Sequence, residues 1–121
     1  MGGNQITVKT KPGQYYGRMN CCDVSAVLRG PCGDEIEIYM DITNNIITDI
    51  KVFTTGCRYT KICALALAEL ACKKTIYEAM DISAKNVLDT CATPADHAHC
   101  NILAVSVLYR AIALYLMEIM E

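Results

Sequence analysis

From Glu35 to Ile42 the chain alternates without exception. Ile36, Ile38, Met40 and Ile42 occupy the even positions, and Glu35, Glu37, Tyr39 and Asp41 the odd ones. A period of two puts the two sets on opposite faces of an extended chain, so this segment predicts a half-buried strand. Thr43-Asn44-Asn45 interrupts it with turn chemistry. The alternation resumes over Ile46–Thr54, with Ile46, Thr48, Ile50 and Val52 opposing Ile47, Asp49, Lys51 and Phe53. Two such runs joined by an Asn-Asn turn predict an antiparallel hairpin. Asp23–Arg29 is a shorter run that predicts a first strand.

Beyond Gly56 the pattern changes. Arg58–Lys73 is rich in Ala and Leu, strong helix formers. Thr75–Met80 and Ser83–Asp89 predict short helices, the second capped by Ser83. Thr93-Pro94-Ala95-Asp96 carries an N-cap residue, a proline at the first helical position and an acid in the first turn, which predicts a helix start. That helix runs to the C-terminus. Its most apolar part, Ile102–Met117, is broken only by Ser106 and Arg110. As a helix it spans roughly 24 Å, short of a hydrocarbon core of about 30 Å, so it reads as a buried helix and no membrane partner is expected; a membrane anchor is the weaker alternative. Strands first and helices after predict one α+β domain over residues 1–121, a three-stranded antiparallel sheet with helices packed on one face. The polar residues 1–18 predict a loose N-terminal arm.

Length and composition narrow the class. A chain of 121 residues favours a single domain, and 53% hydrophobic residues exclude disorder. Lys and Arg number 11 against 13 Asp and Glu, so there is no electrostatic footprint for nucleic acid. The 8 cysteines admit either a secreted disulfide framework or reduced thiols. Residues 1–9 lack the apolar core of a signal peptide. Cys21 and Cys22 are adjacent, with Cα atoms about 3.8 Å apart, closer than ordinary disulfide geometry allows. Cys63 and Cys72 fall within an apolar helical pattern and read as small core residues. The expected setting is cytoplasmic. No hydrolytic triad, phosphate loop or dinucleotide fingerprint stands in the sequence, so an enzyme is not expected.

Three cysteines sit elsewhere. Cys32 lies in the turn Gly30-Pro31-Cys32-Gly33-Asp34, Cys57 in Thr54-Thr55-Gly56-Cys57 where strand gives way to helix, and Cys100 in Asp96-His97-Ala98-His99-Cys100 early in the last helix. Thiolate, carboxylate and imidazole at the ends of regular elements are the materials of a zinc or two-iron site. A helix N-terminus favours thiolate at Cys57. His97 and Cys100 are three apart and share a helix face, and Asp96, His99 and Cys100 are within reach of one another. Only one of the two histidines need be a ligand, and His97 reads as a surface residue. Arg58 and Lys61 read as solvated charges. A carboxylate among thiolates makes a looser site than four thiolates would, as suits a scaffold that must release its cargo.

Gly30-Pro31-Cys32-Gly33-Asp34, Phe53-Thr54-Thr55-Gly56-Cys57 and His99-Cys100-Asn101-Ile102-Leu103-Ala104, in that order and spacing, resemble the IscU/NifU N-terminal family of iron–sulfur cluster scaffolds. The resemblance spans about residues 17–117. It implies a SufE/NifU-like α+β fold with the site at one end. It also implies a scaffold that takes sulfur from a cysteine desulfurase, assembles a transient [2Fe-2S] cluster with iron and delivers it to apo iron–sulfur acceptor proteins. Cys32, Asp34, Cys57 and Cys100 match the family's cluster residues and His99 its adjacent histidine. Cys100, and after it Cys57, is then the candidate sulfur acceptor. The related SufU proteins carry an insertion between the second and third cysteines for which this chain has no room. A zinc-bound persulfide acceptor of SufU type and a zinc-stabilised interaction domain are the alternatives. Arg58-Tyr59-Thr60-Lys61 is bulkier and more basic than the family's small residues. Ala92–His97 replaces the family's Leu-Pro-Pro-Val-Lys segment, which counts against recognition by the dedicated Hsp70-type chaperone. Cys21, Cys22, Cys63, Cys72 and Cys91 lie outside the family pattern.

Overall fold

A computed structural model describes residues 14–31 and 33–120. The hairpin forms where the alternation places it, as β2 (Glu35–Thr43) and β3 (Ile46–Thr55). Asn44 and Asn45 close it with φ of 55° and 65°. Two successive left-handed residues make the turn whose twist matches the flanking strands, and asparagine tolerates that conformation better than most side chains. β1 (Val24–Arg29) pairs antiparallel with β2, giving the order β1-β2-β3.

One expectation about the hairpin is corrected. Alternation along the last strand is not continuous, because Asp41 pairs with Asp49 but Ile42 pairs with Ile47. Thr48 is the extra residue of a bulge, and its hydroxyl donates to the Asp41 carbonyl at 3.1 Å. A bulge shifts the pleat by one residue. Ile47 therefore joins Ile50 and Val52 in the core, while Ile46 turns outward.

The helices are α1 (Arg58–Ala71), α2 (Ile76–Ala79), α3 (Ala84–Cys91) and α4 (Ala98–Ile119). Ser83 caps α3 as expected, its side chain accepting from the Asn86 amide while Asn86 reaches back to Ser83. Thr75 and Glu78 form the same reciprocal box at α2. The start expected at Thr93-Pro94 is not realised as an α-helix. Ala95–His97 is a single 3₁₀ turn and α4 begins only at Ala98. Thr93 does not cap it, because its hydroxyl accepts from Asn101 Nδ2 at 3.1 Å.

The core lies between the sheet and the two long helices. Ile36, Ile38 and Met40 of β2 and Ile50 and Val52 of β3 are fully buried against Leu67 and Ala68 of α1 and Leu108 and Ile112 of α4. α1 lies over β3 and α4 over β1. At 22 residues α4 is longer than its apolar run suggested, and by length and composition alone it is enough to cross a membrane. Its inner face is nonetheless occupied by the sheet and α1, with Leu103, Val107, Leu108 and Ile112 buried. Within the segment expected to be a loose arm, residues 14–18 lie along the outer edge of β3. The Gly17 amide donates to the Val52 carbonyl and the Val52 amide to the Tyr15 carbonyl. That pairing covers a sheet edge that would otherwise stand open. The rest of the arm, residues 1–13, lies outside the described residues.

Candidate metal centre

The start of β2, the end of β3, the N-terminus of α1 and the N-terminus of α4 meet at one end of the sheet. Asp34 stands just before β2. The turn leading to it is closed by the Gly30 amide donating to the Asp34 carbonyl at 2.7 Å and the Gly33 amide donating to the Gly30 carbonyl at 3.0 Å. Gly56 ends β3 with φ of 128°. A Cβ at Gly56 would lie 2.2 Å from Asp34 Oδ1 and 2.6 Å from its Cγ, so only glycine leaves space for this carboxylate.

Cys57 follows as the N-cap residue of α1. One turn on, Thr60 is fully buried. Its hydroxyl is the hub of the site, lying 2.7 Å from Asp34 Oδ2, 3.5 Å from Cys57 Sγ and 3.6 Å from Cys100 Sγ. Cys57 Sγ also lies 3.8 Å from Asp34 Oδ2. From α4, Cys100 Sγ lies 3.7 Å from His99 Nε2. Two donor sets result, Asp34 with His99 and Cys100, and Cys57 with His97 and Cys100. Within each set the ligand atoms all lie within 4.8 Å of one another.

The two thiols differ. The Thr60 hydroxyl, helped by the backbone amides of Thr60 and Tyr59, holds the half-buried Cys57 thiol below its ordinary value, against burial and the Asp34 carboxylate. Burial pushes the Cys100 thiol up, and the Cys57 and Asp34 charges add to that. The two directions make Cys57 the more acidic of the two thiols.

Asp34, Cys57, His99 and Cys100 are brought together; Cys32 lies outside the described residues. Asp96 is exposed and belongs to neither donor set. His97 is not the surface residue its position suggested, because its Nδ1 is buried. Thr60 carries no chemical flag in the sequence, but its place three after Cys57 puts both on one face of α1.

A second polar layer lies behind the first. The fully buried Cys63 donates its S–H to Asn101 Oδ1 at 3.1 Å, and Cys91 reaches the same oxygen at 3.7 Å. Burial pushes the Cys63 thiol far up, so it behaves as a neutral donor. Cys72 is only half-buried, at the end of α1, and Cys21 and Cys22 precede β1 at its end away from the site.

The family model of the NifU-like N terminal domain matches residues 10–121. The iron-sulfur cluster assembly scaffold proteins IscU 1 and IscU 2 of Archaeoglobus fulgidus are each 35% identical over 101 residues, covering 82% of this chain and 66% of theirs. The iron-sulfur cluster assembly protein IscU of Plasmodium falciparum is 31% identical over 91 residues, covering 75% of this chain and 56% of its own. The chain thus spans just under two thirds of the archaeal relatives. Among solved structures, a candidate iron-sulfur cluster assembly scaffold for the SUF system from Fervidobacterium islandicum superposes with a TM-score of 0.72 at 19% identity, covering 88% of this chain and 93% of that one. A NifU-like N-terminal domain from Brucella abortus gives 0.68 at 12% identity, with 83% of each chain covered. These two share the fold.

The difference between the thiols is open to measurement. In metal-free, reduced protein, Cys57 should alkylate faster than Cys100 at neutral pH. Thr60→Val removes the main group that lowers the Cys57 thiol, so its rate-against-pH curve should move to higher pH. Mass mapping of iodoacetamide adducts reads both, and a Cys100 that outpaced Cys57 would contradict the assignment.

Proposed function

This chain belongs to the NifU-like N-terminal domain family, and we propose that it is a non-catalytic scaffold on which a transient [2Fe-2S] cluster is assembled and from which it is passed on. The observation that carries this reading is the convergence of Asp34, Cys57 and Cys100 around the Thr60 hydroxyl, with His99 beside Cys100. The donors come from three element ends, the start of β2 and the N-termini of α1 and α4, so the fold itself sets their spacing. The cluster is cargo, and the mixed donor set suits cargo. Thiolates hold iron firmly, whereas a carboxylate is a hard ligand that yields to an incoming thiol. Asp34 then acts as the release point, and Cys32 is assigned to the same set on its sequence match alone.

Sulfur enters as a persulfide. The Cys57 thiolate attacks the outer sulfur of a persulfide on a cysteine desulfurase; a new S–S bond forms at Cys57 and the desulfurase cysteine leaves as thiolate. Cys100 lies within 4.8 Å of Cys57 and can take the sulfur onward by the same exchange. His99, at 3.7 Å, is placed to receive the Cys100 proton. Resemblance favours Cys100 as the acceptor; burial of Cys100 and partial exposure of Cys57 favour Cys57 as the entry thiol. Acceptors are apo iron–sulfur proteins. Ala92, Pro94, Ala95 and Asp96 are exposed, and of the family's Leu-Pro-Pro-Val-Lys segment only a proline remains, so the dedicated chaperone is not among the partners proposed.

The second reading is a zinc-bound persulfide acceptor. It is favoured by one observation: Asp34, His99 and Cys100 form a mixed oxygen, nitrogen and sulfur set of the kind zinc accepts. In that case Cys57 alone carries sulfur and no cluster forms.

Two experiments test these roles. After mixing with a desulfurase and cysteine, persulfide should map first to Cys57 and then to Cys100, and Cys57→Ser should abolish the Cys100 signal; persulfide confined to Cys21 or Cys22 would defeat the proposal. Asp34→Ala should still assemble a cluster but transfer it to an apo-ferredoxin several-fold more slowly, read from the decay of visible absorbance. Faster transfer, or no cluster at all, would make Asp34 an anchor.

A further inference from the structure

His97 sits at the junction between the 3₁₀ turn and α4, with φ of −117° and ψ of 21°. Its ring packs on Tyr59 of α1, the centroids 4.2 Å apart and the planes tilted by 36°. The His99 ring lies 6.0 Å away. This packing fixes the ring, and it leaves Nδ1 buried with no hydrogen-bond partner among the described residues. A buried polar atom left in that state costs about 1–3 kcal/mol, so folded proteins rarely keep one without a use. The neighbouring groups with which it forms a donor set are two thiols. His97, Cys57 and Cys100 present ligand atoms all within 4.8 Å of one another.

We infer that His97 is itself a ligand, its Nδ1 completing with Cys57 and Cys100 a second donor set that shares Cys100 with Asp34 and His99. The inference rests on the scaffold reading and deepens it. A soft divalent ion or a cluster iron held by Cys57 and Cys100 would gain a nitrogen donor from His97. Neutral imidazole binds such ions well, and its lone pair is satisfied by the ion where the protein supplies nothing. Because Cys100 is common to both sets, an ion can leave the Asp34 side without leaving the site. That is a useful property in a site whose carboxylate is the weak link. His97 stands where the 3₁₀ turn hands over to α4.

The test uses cobalt(II) as the probe, titrated anaerobically into the full chain. Thiolate-to-cobalt absorption in the near ultraviolet reports the cysteines, and the visible ligand-field bands report the full donor set. Two variants separate ligation from packing. His97→Ala removes the ring; His97→Phe keeps a ring against Tyr59 but has no nitrogen. Both should weaken cobalt affinity about tenfold or more and alter the visible bands while keeping the thiolate absorption. The metal-free His97→Phe chain should unfold at no lower denaturant concentration than the unsubstituted one. Unchanged affinity and unchanged visible bands in both variants would overturn the inference and leave the scaffold reading standing. An unsubstituted chain with no thiolate absorption, or a Cys100→Ser chain that binds cobalt equally well, would overturn the scaffold reading and this inference with it.

Discussion

The hydrogen bond from Thr60 to the Asp34 carboxylate holds this end of the molecule together. Asp34 belongs to the turn before β2, Thr60 to the first turn of α1, and the space between them exists because Gly56, at the end of β3, has no Cβ. Three elements that are separate in sequence are thereby locked to one point. The same hydroxyl lies within reach of both described site thiols. It carries one proton and stands among one carboxylate and two sulfurs. Any group bound there must compete for that proton or replace it. A small polar hub inside an apolar core is costly unless every member is satisfied. Here the members satisfy one another.

The site is also tied to the layer behind it. α1 presents Cys57, Thr60 and Cys63 in sequence along one face, and Cys63 donates to Asn101, the residue that follows Cys100. Asn101 in turn donates to Thr93, which fixes the approach to the last helix. The position of Cys100 is therefore determined from α1 twice, by Thr60 in front and by Cys63 through Asn101 behind. Two of the cysteines outside the family pattern, Cys63 and Cys91, thus have a structural part as donors to one amide oxygen.

Much of this was legible in the sequence, and the reason is periodicity. The alternation of β2 is clean, the two asparagines tolerate left-handed backbone, and Ala-rich α1 reads as helix on propensity alone. What was hidden depends on long-range contacts. The bulge at Thr48 follows from a register that no local pattern encodes. Thr93-Pro94 carries a good helix-start signature, but a buried Asn101 takes the threonine hydroxyl, and tertiary demand overrides local preference. Asp34, Cys57, His99 and Cys100 were legible because carboxylate, thiols and imidazole at element ends are unusual. Thr60 was not, because a threonine in a helix carries no chemical flag.

The most direct test of this account is the iron and acid-labile sulfide content of the chain after oxygen-free reconstitution, compared among single serine variants. The account predicts iron and sulfide in equal amounts with visible charge-transfer absorbance in the unsubstituted chain. It predicts their loss in Cys57→Ser and Cys100→Ser, and their retention in Cys63→Ser. A chain that takes up zinc but no sulfide-bearing iron, or a Cys63→Ser variant that loses the cluster while Cys100→Ser keeps it, would contradict it.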